Sequence, residues 1–112
     1  MNDKEKLIYA IIDNVVKCSG VTRSDGSLSI TREEVLSPSR KENIVMTRCI
    51  VVEQLVHGGF SITTIAEMLN RTVPAIRHLM KMSTDYYETS RAYRLATSQA
   101  TLLNKDVEPI FI

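Results

Sequence analysis

The stretch from residue 61 to residue 81 constrains the fold more than any other part of the chain. Apolar residues recur in it with helical spacing on both sides of a short polar break. The first apolar stripe is Ile62, Ile65, Ala66 and Leu69, and the second is Val73, Ile76, Leu79 and Met80. Positions three and four residues apart share one helix face, so each stripe predicts an amphipathic helix. Ser61 is a suitable N-cap for the first helix, and Pro74 falls in the first turn of the second, where its missing N–H has no partner to lose. The stretch predicts two short helices and a tight turn at residues 70–72, the layout of a helix-turn-helix.

The polar residues of this stretch favour a nucleic-acid surface. Between Met68 and Met82 there are three basic residues and no acidic one. The positions that lie off the second apolar stripe include Arg71, Arg77, His78 and Lys81. A helix that packs through one face and presents hydrogen-bond donors on the other can enter the major groove of DNA. The alternative is a purely structural helix pair with solvated charges, in an all-α adaptor that binds a protein.

Composition favours helices in the rest of the chain. Hydrophobic residues make up 44 % of its 112 residues, without Trp and with two Phe, so the core is predicted to be aliphatic. We expect an all-α, compact bundle of five to six helices that forms one domain over residues 1–105. The apolar tail, residues 106–112, is expected to dock on the bundle or to mark the site of a protein partner. The net charge of +1 neither supports nor excludes DNA binding.

Capping signals mark the remaining helices. Asn2 and Glu5 resemble a capping box for a first helix that ends near residue 18, and Thr31 and Glu34 form one for a short helix through residue 36. A loop is predicted over residues 21–30. A third capping box, residues 39–42, is predicted to open a long apolar helix that continues to residue 56 at the centre of the bundle. N-cap candidates at residues 83–85 predict a last helix that runs to about residue 103, with its tyrosines at the edge of the core rather than as a base-stacking platform.

Several classes of function are not expected. Cys18 and Cys49 lack metal-site spacing and read as small buried hydrophobes in a reducing compartment, and neither histidine has partners typical of a zinc site. No run is long enough to span a membrane, and the start is too charged for a signal peptide, so a cytoplasmic protein is expected. Without a nucleophile elbow or paired carboxylates, we expect neither catalysis nor a cofactor.

The order of these elements resembles a known family. Residues 34–41, Arg48 inside the long helix, residues 61–66, and Arg71 and His78 around the second short helix together resemble the carboxy-terminal DNA-binding domain of the bacterial replication initiator DnaA. The resemblance spans about residues 5–100 and implies a fold similar to Trp repressor-like domains. It also implies duplex DNA binding in replication or transcription control. The chain has no Gly-rich phosphate loop, so no ATPase activity is expected.

The resemblance also implies roles for individual residues. Arg40, Lys41 and Arg48 correspond to contacts with the DNA backbone or minor groove, and Arg71 corresponds to the first major-groove contact. Residues 72–75 differ from the family's base-reading run, so the resemblance does not imply the family's usual DNA site. The predicted DNA-binding residues are Arg40, Lys41, Arg48, Ser61, Arg71, Thr72, Ala75, Arg77, His78 and Lys81.

Overall fold

Six α-helices and no strand form the regular structure of a computed structural model that describes residues 2–19 and 30–105. The helices are α1 (Asp3–Ser19), α2 (Arg32–Leu36), α3 (Glu42–His57), α4 (Ile62–Met68), α5 (Val73–Thr89) and α6 (Arg91–Asn104). The predicted all-α bundle is confirmed. The predicted tail at 106–112 and nearly all of the predicted loop at 21–30 lie outside the described residues.

Helix α3 forms the centre of the bundle and packs against each of the other five helices. Val51, Val52 and Leu55 are completely buried in it. Its apolar residues extend almost all the way round the helix, which allows it to bury several faces at once. Helix α1 contributes six buried aliphatic side chains and packs on α3 and α6. The predicted central position of the long helix is confirmed.

Three predicted N-caps form as expected. The side chains of Asn2, Thr31 and Ser61 accept hydrogen bonds from backbone N–H groups three residues later, at 2.8, 3.2 and 3.1 Å. Each bond satisfies a donor that the first turn of a helix leaves without an intrahelical partner.

The predicted capping box at residues 39–42 does not form. The hydroxyl of Ser39 accepts instead from the backbone N–H of Lys41, two residues later, at 3.3 Å. Lys41 is extended (φ −60°, ψ 136°) and makes no side-chain cap, so α3 begins at Glu42. The segment 37–41 is therefore a structured loop rather than the first turn of a helix.

The predicted start of the last helix, at residues 83–85, is wrong. Helix α5 continues through residues 83–85 to Thr89, because Ser83 is buried and its hydroxyl bonds to side chains of other helices rather than to its own backbone. The true break is at Ser90, whose side chain accepts from the N–H of Tyr93 and caps α6. Tyr93 is buried and stacks on Tyr86 with ring centroids 5.5 Å apart. Tyr86 is half-buried, as the predicted position at the edge of the core requires, whereas Tyr93 lies inside the core and Tyr87 is exposed.

Both cysteines are free thiols. Cys49 is fully buried, and this burial raises its pKa to about 12, which keeps it a neutral, apolar side chain. Among the described helices, none is long and apolar enough to span a bilayer. No group of three potential metal ligands occurs within the same part of the chain.

Candidate nucleic-acid interface

The turn between α4 and α5 is fixed by backbone hydrogen bonds. The N–H of Arg71 donates to the carbonyl of Ala66, and the N–H of Asn70 donates to that of Glu67, at 2.9 and 3.2 Å. This pair of bonds is the Schellman pattern of a helix C-terminus. Asn70 takes the left-handed conformation that the pattern requires (φ 53°), which asparagine tolerates better than most residues. The connection between α4 and α5 is therefore a fixed turn of four residues.

The exposed face of α5 is basic over its first half. Ile76 and Leu79 are buried against the bundle, whereas Arg77, His78 and Lys81 are exposed. Asp85 and Glu88 follow on the same exposed face further along the helix. The positive charge is thus confined to the part of α5 that adjoins the turn.

The smaller residues of the predicted site serve the helix ends. Ser61 and Thr72 are exposed N-caps of α4 and α5, and the hydroxyl of Thr72 accepts from the N–H of Ala75 at 3.2 Å. Ala75 is partly buried. These three residues shape the α4–α5 unit, and the two hydroxyls remain at the surface next to the basic face.

Arg48 requires a correction. Its side chain is only 4 % exposed, and its guanidinium donates to four backbone carbonyl oxygens. These belong to Glu34, Val35, Ser37 and Ser39, at 3.4, 2.8, 2.8 and 3.0 Å respectively. A guanidinium with its donors used in this way is not available to a DNA backbone or minor groove. The expected direct contact by Arg48 is wrong, because the side chain holds the 34–39 segment onto α3.

Arg71 is also held by carbonyl groups, but it is more accessible. Its guanidinium donates to the carbonyl of Leu69 at 2.8 Å and to that of Ser37 at 2.6 Å. The side chain is partly buried, and this burial lowers its pKa. The contact with Ser37 ties the α4–α5 turn to the loop that precedes α3. Arg71 therefore lies beside that loop rather than extending freely from the second helix.

The structure brings three of the predicted residues together in one cleft. Arg40, Arg48 and Arg71 line a cleft of about 390 Å³ with Leu36, Pro38, Ser39 and Asn70. None of the described residues in this lining is acidic. Lys41 is exposed next to Arg40 in the same loop. The remaining cations of the predicted site, Arg77 and Lys81, are on α5 rather than in the cleft.

Sequence reasoning did not identify a partly buried polar network between α3, α5 and α6. The Ser83 hydroxyl donates to the Glu53 carboxylate at 2.8 Å and shares a 2.5 Å hydrogen bond with the Tyr93 hydroxyl. Burial raises the pKa of Tyr93, so the phenol stays protonated. The side chains of Glu53 and Ser83 border a cleft of about 300 Å³ next to His57 and Tyr87. The partners in this network are far apart in the sequence, and no local spacing signals them.

No family model, curated protein or solved structure matches this chain.

Proposed function

We propose that the protein binds duplex DNA, with the α4–α5 unit acting as a helix-turn-helix. The observation that carries the proposal is the arrangement of α5, which begins directly after a tight turn, packs through Ile76 and Leu79, and exposes Arg77, His78 and Lys81. Cationic side chains on the amino-terminal half of such a helix suit contact with phosphates and with base edges in the major groove. Control of replication or transcription, which the resemblance to the DnaA domain implies, is part of this proposal.

The loop before α3 extends the proposed surface. Arg40 and Lys41 are exposed there, and the hydrogen bond from Arg71 to the Ser37 carbonyl holds this loop against the α4–α5 turn. Phosphate contacts from such a loop would set the position of the protein on the duplex without reading its sequence.

A binding assay with matched variants tests the proposal. We expect a labelled duplex to bind at low salt, and the double variant R77A/K81A to weaken this affinity at least about tenfold, because each lost contact removes a charge-assisted hydrogen bond. The control K17A/R91A removes the same charge from exposed positions on α1 and α6 and should bind like the parent. Absence of duplex binding at low salt, or equal loss in both double variants, would reject the proposal.

The second candidate is an adaptor that binds a protein. Helix α6 exposes Leu95 and Leu102, at 54 % and 62 %, on one face seven residues apart. Exposed apolar residues on one helix face are common at protein interfaces. A protein that fails to bind any duplex but self-associates, and loses this association in L95S/L102S, would favour the adaptor.

A further inference from the structure

The cleft lined by Arg40, Arg48 and Arg71 holds an unusual concentration of positive charge. Two of these guanidinium groups share one acceptor, since both Arg48 and Arg71 donate to the carbonyl oxygen of Ser37, at 2.8 and 2.6 Å. Neither has a carboxylate partner among the described residues. Arg32, by contrast, pairs with the carboxylate of Asp13 at 2.6 Å. Carbonyl groups satisfy hydrogen-bond donors but do not cancel their charge. The cleft therefore keeps a positive field that the described residues do not neutralise.

The pKa of Arg48 agrees with this reading. It is lowered to about 10, first by burial and then by repulsion from Arg71. The guanidinium is still charged at neutral pH, so the two like charges remain side by side at a free-energy cost. An anion placed in the cleft would relieve that repulsion.

Two arginines that line the cleft keep unused donors. A guanidinium carries five N–H groups, and Arg71 uses two of them in its bonds to Leu69 and Ser37. Arg40 is exposed and makes no hydrogen bond within the described residues. Arginine forks match the oxygen geometry of phosphate, and the cleft that these arginines line has a volume of about 390 Å³.

We infer that this cleft is a binding site for one phosphate group, with Arg40 and Arg71 as its direct ligands and Arg48 as a buried supporting charge. Arg71 is thereby assigned to phosphate rather than to a base edge, because its bonds to two carbonyl groups hold the guanidinium beside the loop. The phosphate belongs either to a nucleic-acid backbone or to a free phosphate compound. The first source rests on the proposed function, whereas the cleft itself does not.

The first experiment uses inorganic phosphate alone, without DNA. We expect a phosphate titration at constant ionic strength to shift the Arg71 Nε–Hε signal in ¹H–¹⁵N spectra and to raise the melting temperature. R40A removes an exposed ligand without disturbing packing, and we expect it to weaken phosphate binding at least about tenfold. R71K tests the second ligand, since lysine keeps the charge but loses the planar fork. The matched control R91A removes an exposed arginine elsewhere and should bind phosphate like the parent.

Two results would overturn the inference. One is an equal response to chloride at the same ionic strength, and the other is an equal loss of phosphate binding in R40A and R91A. A second arm identifies the source of the phosphate. Competition between inorganic phosphate and a labelled duplex, together with weaker duplex binding by R40A, would support the cleft with a backbone phosphate as its ligand. Phosphate binding by a protein that binds no duplex would support the cleft with a free phosphate compound and would reject the proposed function alone.

Discussion

At the scale of single residues, Arg48 shows how one buried charge can order a loop. Its guanidinium donates to four carbonyl groups of the segment 34–39, and those of Val35 and Ser39 have no other donor among the described residues. The N–H groups of arginine are fixed in one plane, so four acceptors bound to them are held in a defined arrangement. The position of Arg40 in the following loop depends on this arrangement.

Replacing Arg48 with methionine should therefore be costly. The variant keeps most of the aliphatic volume but leaves the carbonyl oxygens of Val35 and Ser39 without a donor among the described residues, and each such oxygen costs about 1–3 kcal/mol. We expect R48M to lower the free energy of unfolding by about 3–5 kcal/mol in chemical denaturation. R77M, at an exposed position on α5, should stay within about 0.5 kcal/mol of the parent. An R48M variant as stable as the parent would mean that the carbonyl contacts contribute nothing to folding.

At the scale of elements, α3 is the helix on which the others are assembled. It packs on all five, so a cavity in it is surrounded by several elements that cannot all move to fill it. Helix α5 packs on α3 more extensively than on α4 or α6, and the basic half of α5 is oriented by that packing.

Two leucine variants separate this central role from the general effect of removing a leucine. Leu55 is fully buried in α3, and L55A should cost about 2–5 kcal/mol of unfolding free energy. Leu95 is 54 % exposed on α6, and L95A should change stability by no more than about 0.5 kcal/mol. Urea denaturation of the two variants provides the comparison. Similar stabilities would show that α3 is peripheral to the folded core.

At the scale of the whole molecule, the charge is nearly balanced but unevenly placed. The net charge is +1, yet every charged side chain described in the cleft at Arg40 and in the first half of α5 is positive. Counterion release depends on the phosphates that are neutralised locally, not on the total charge of the protein. A nearly neutral chain can therefore bind DNA with a clear salt dependence.

The salt slope tests whether local placement governs binding. With about four to five neutralised phosphates, we expect the logarithm of the duplex affinity to fall with the logarithm of salt concentration at a slope of roughly −4. K41A should reduce the size of this slope by about 1, because it removes one phosphate contact. R91A changes the net charge by the same amount and should leave the slope unchanged. Equal slopes for K41A and R91A would show that total charge, rather than the proposed surface, governs binding.

The sequence predicted those contacts whose partners lie within a few residues of each other and missed those whose partners lie further apart. The caps at Thr31 and Ser61 and the apolar stripes of α1 and α3 were predictable, because both partners of each contact lie within a few residues. The burial of Arg48 was not, because its acceptors are backbone carbonyl groups 9 to 14 residues away. The internal position of Ser83 was equally hidden, since its partners Glu53 and Tyr93 lie on other helices.

Ser37 and Ser39 can change their side chains without removing the carbonyl acceptors that bind Arg48. Every residue type supplies a peptide carbonyl, so the acceptors offered by Ser37 and Ser39 survive substitution at those positions. Only an arginine at position 48 can reach all four of them at once. In a library randomised at positions 37, 39 and 48 and selected for folding, we expect arginine to be recovered at 48 while 37 and 39 diversify. Mutations at positions 37 and 39 would then be tolerated, whereas a mutation at position 48 would change the geometry of the loop.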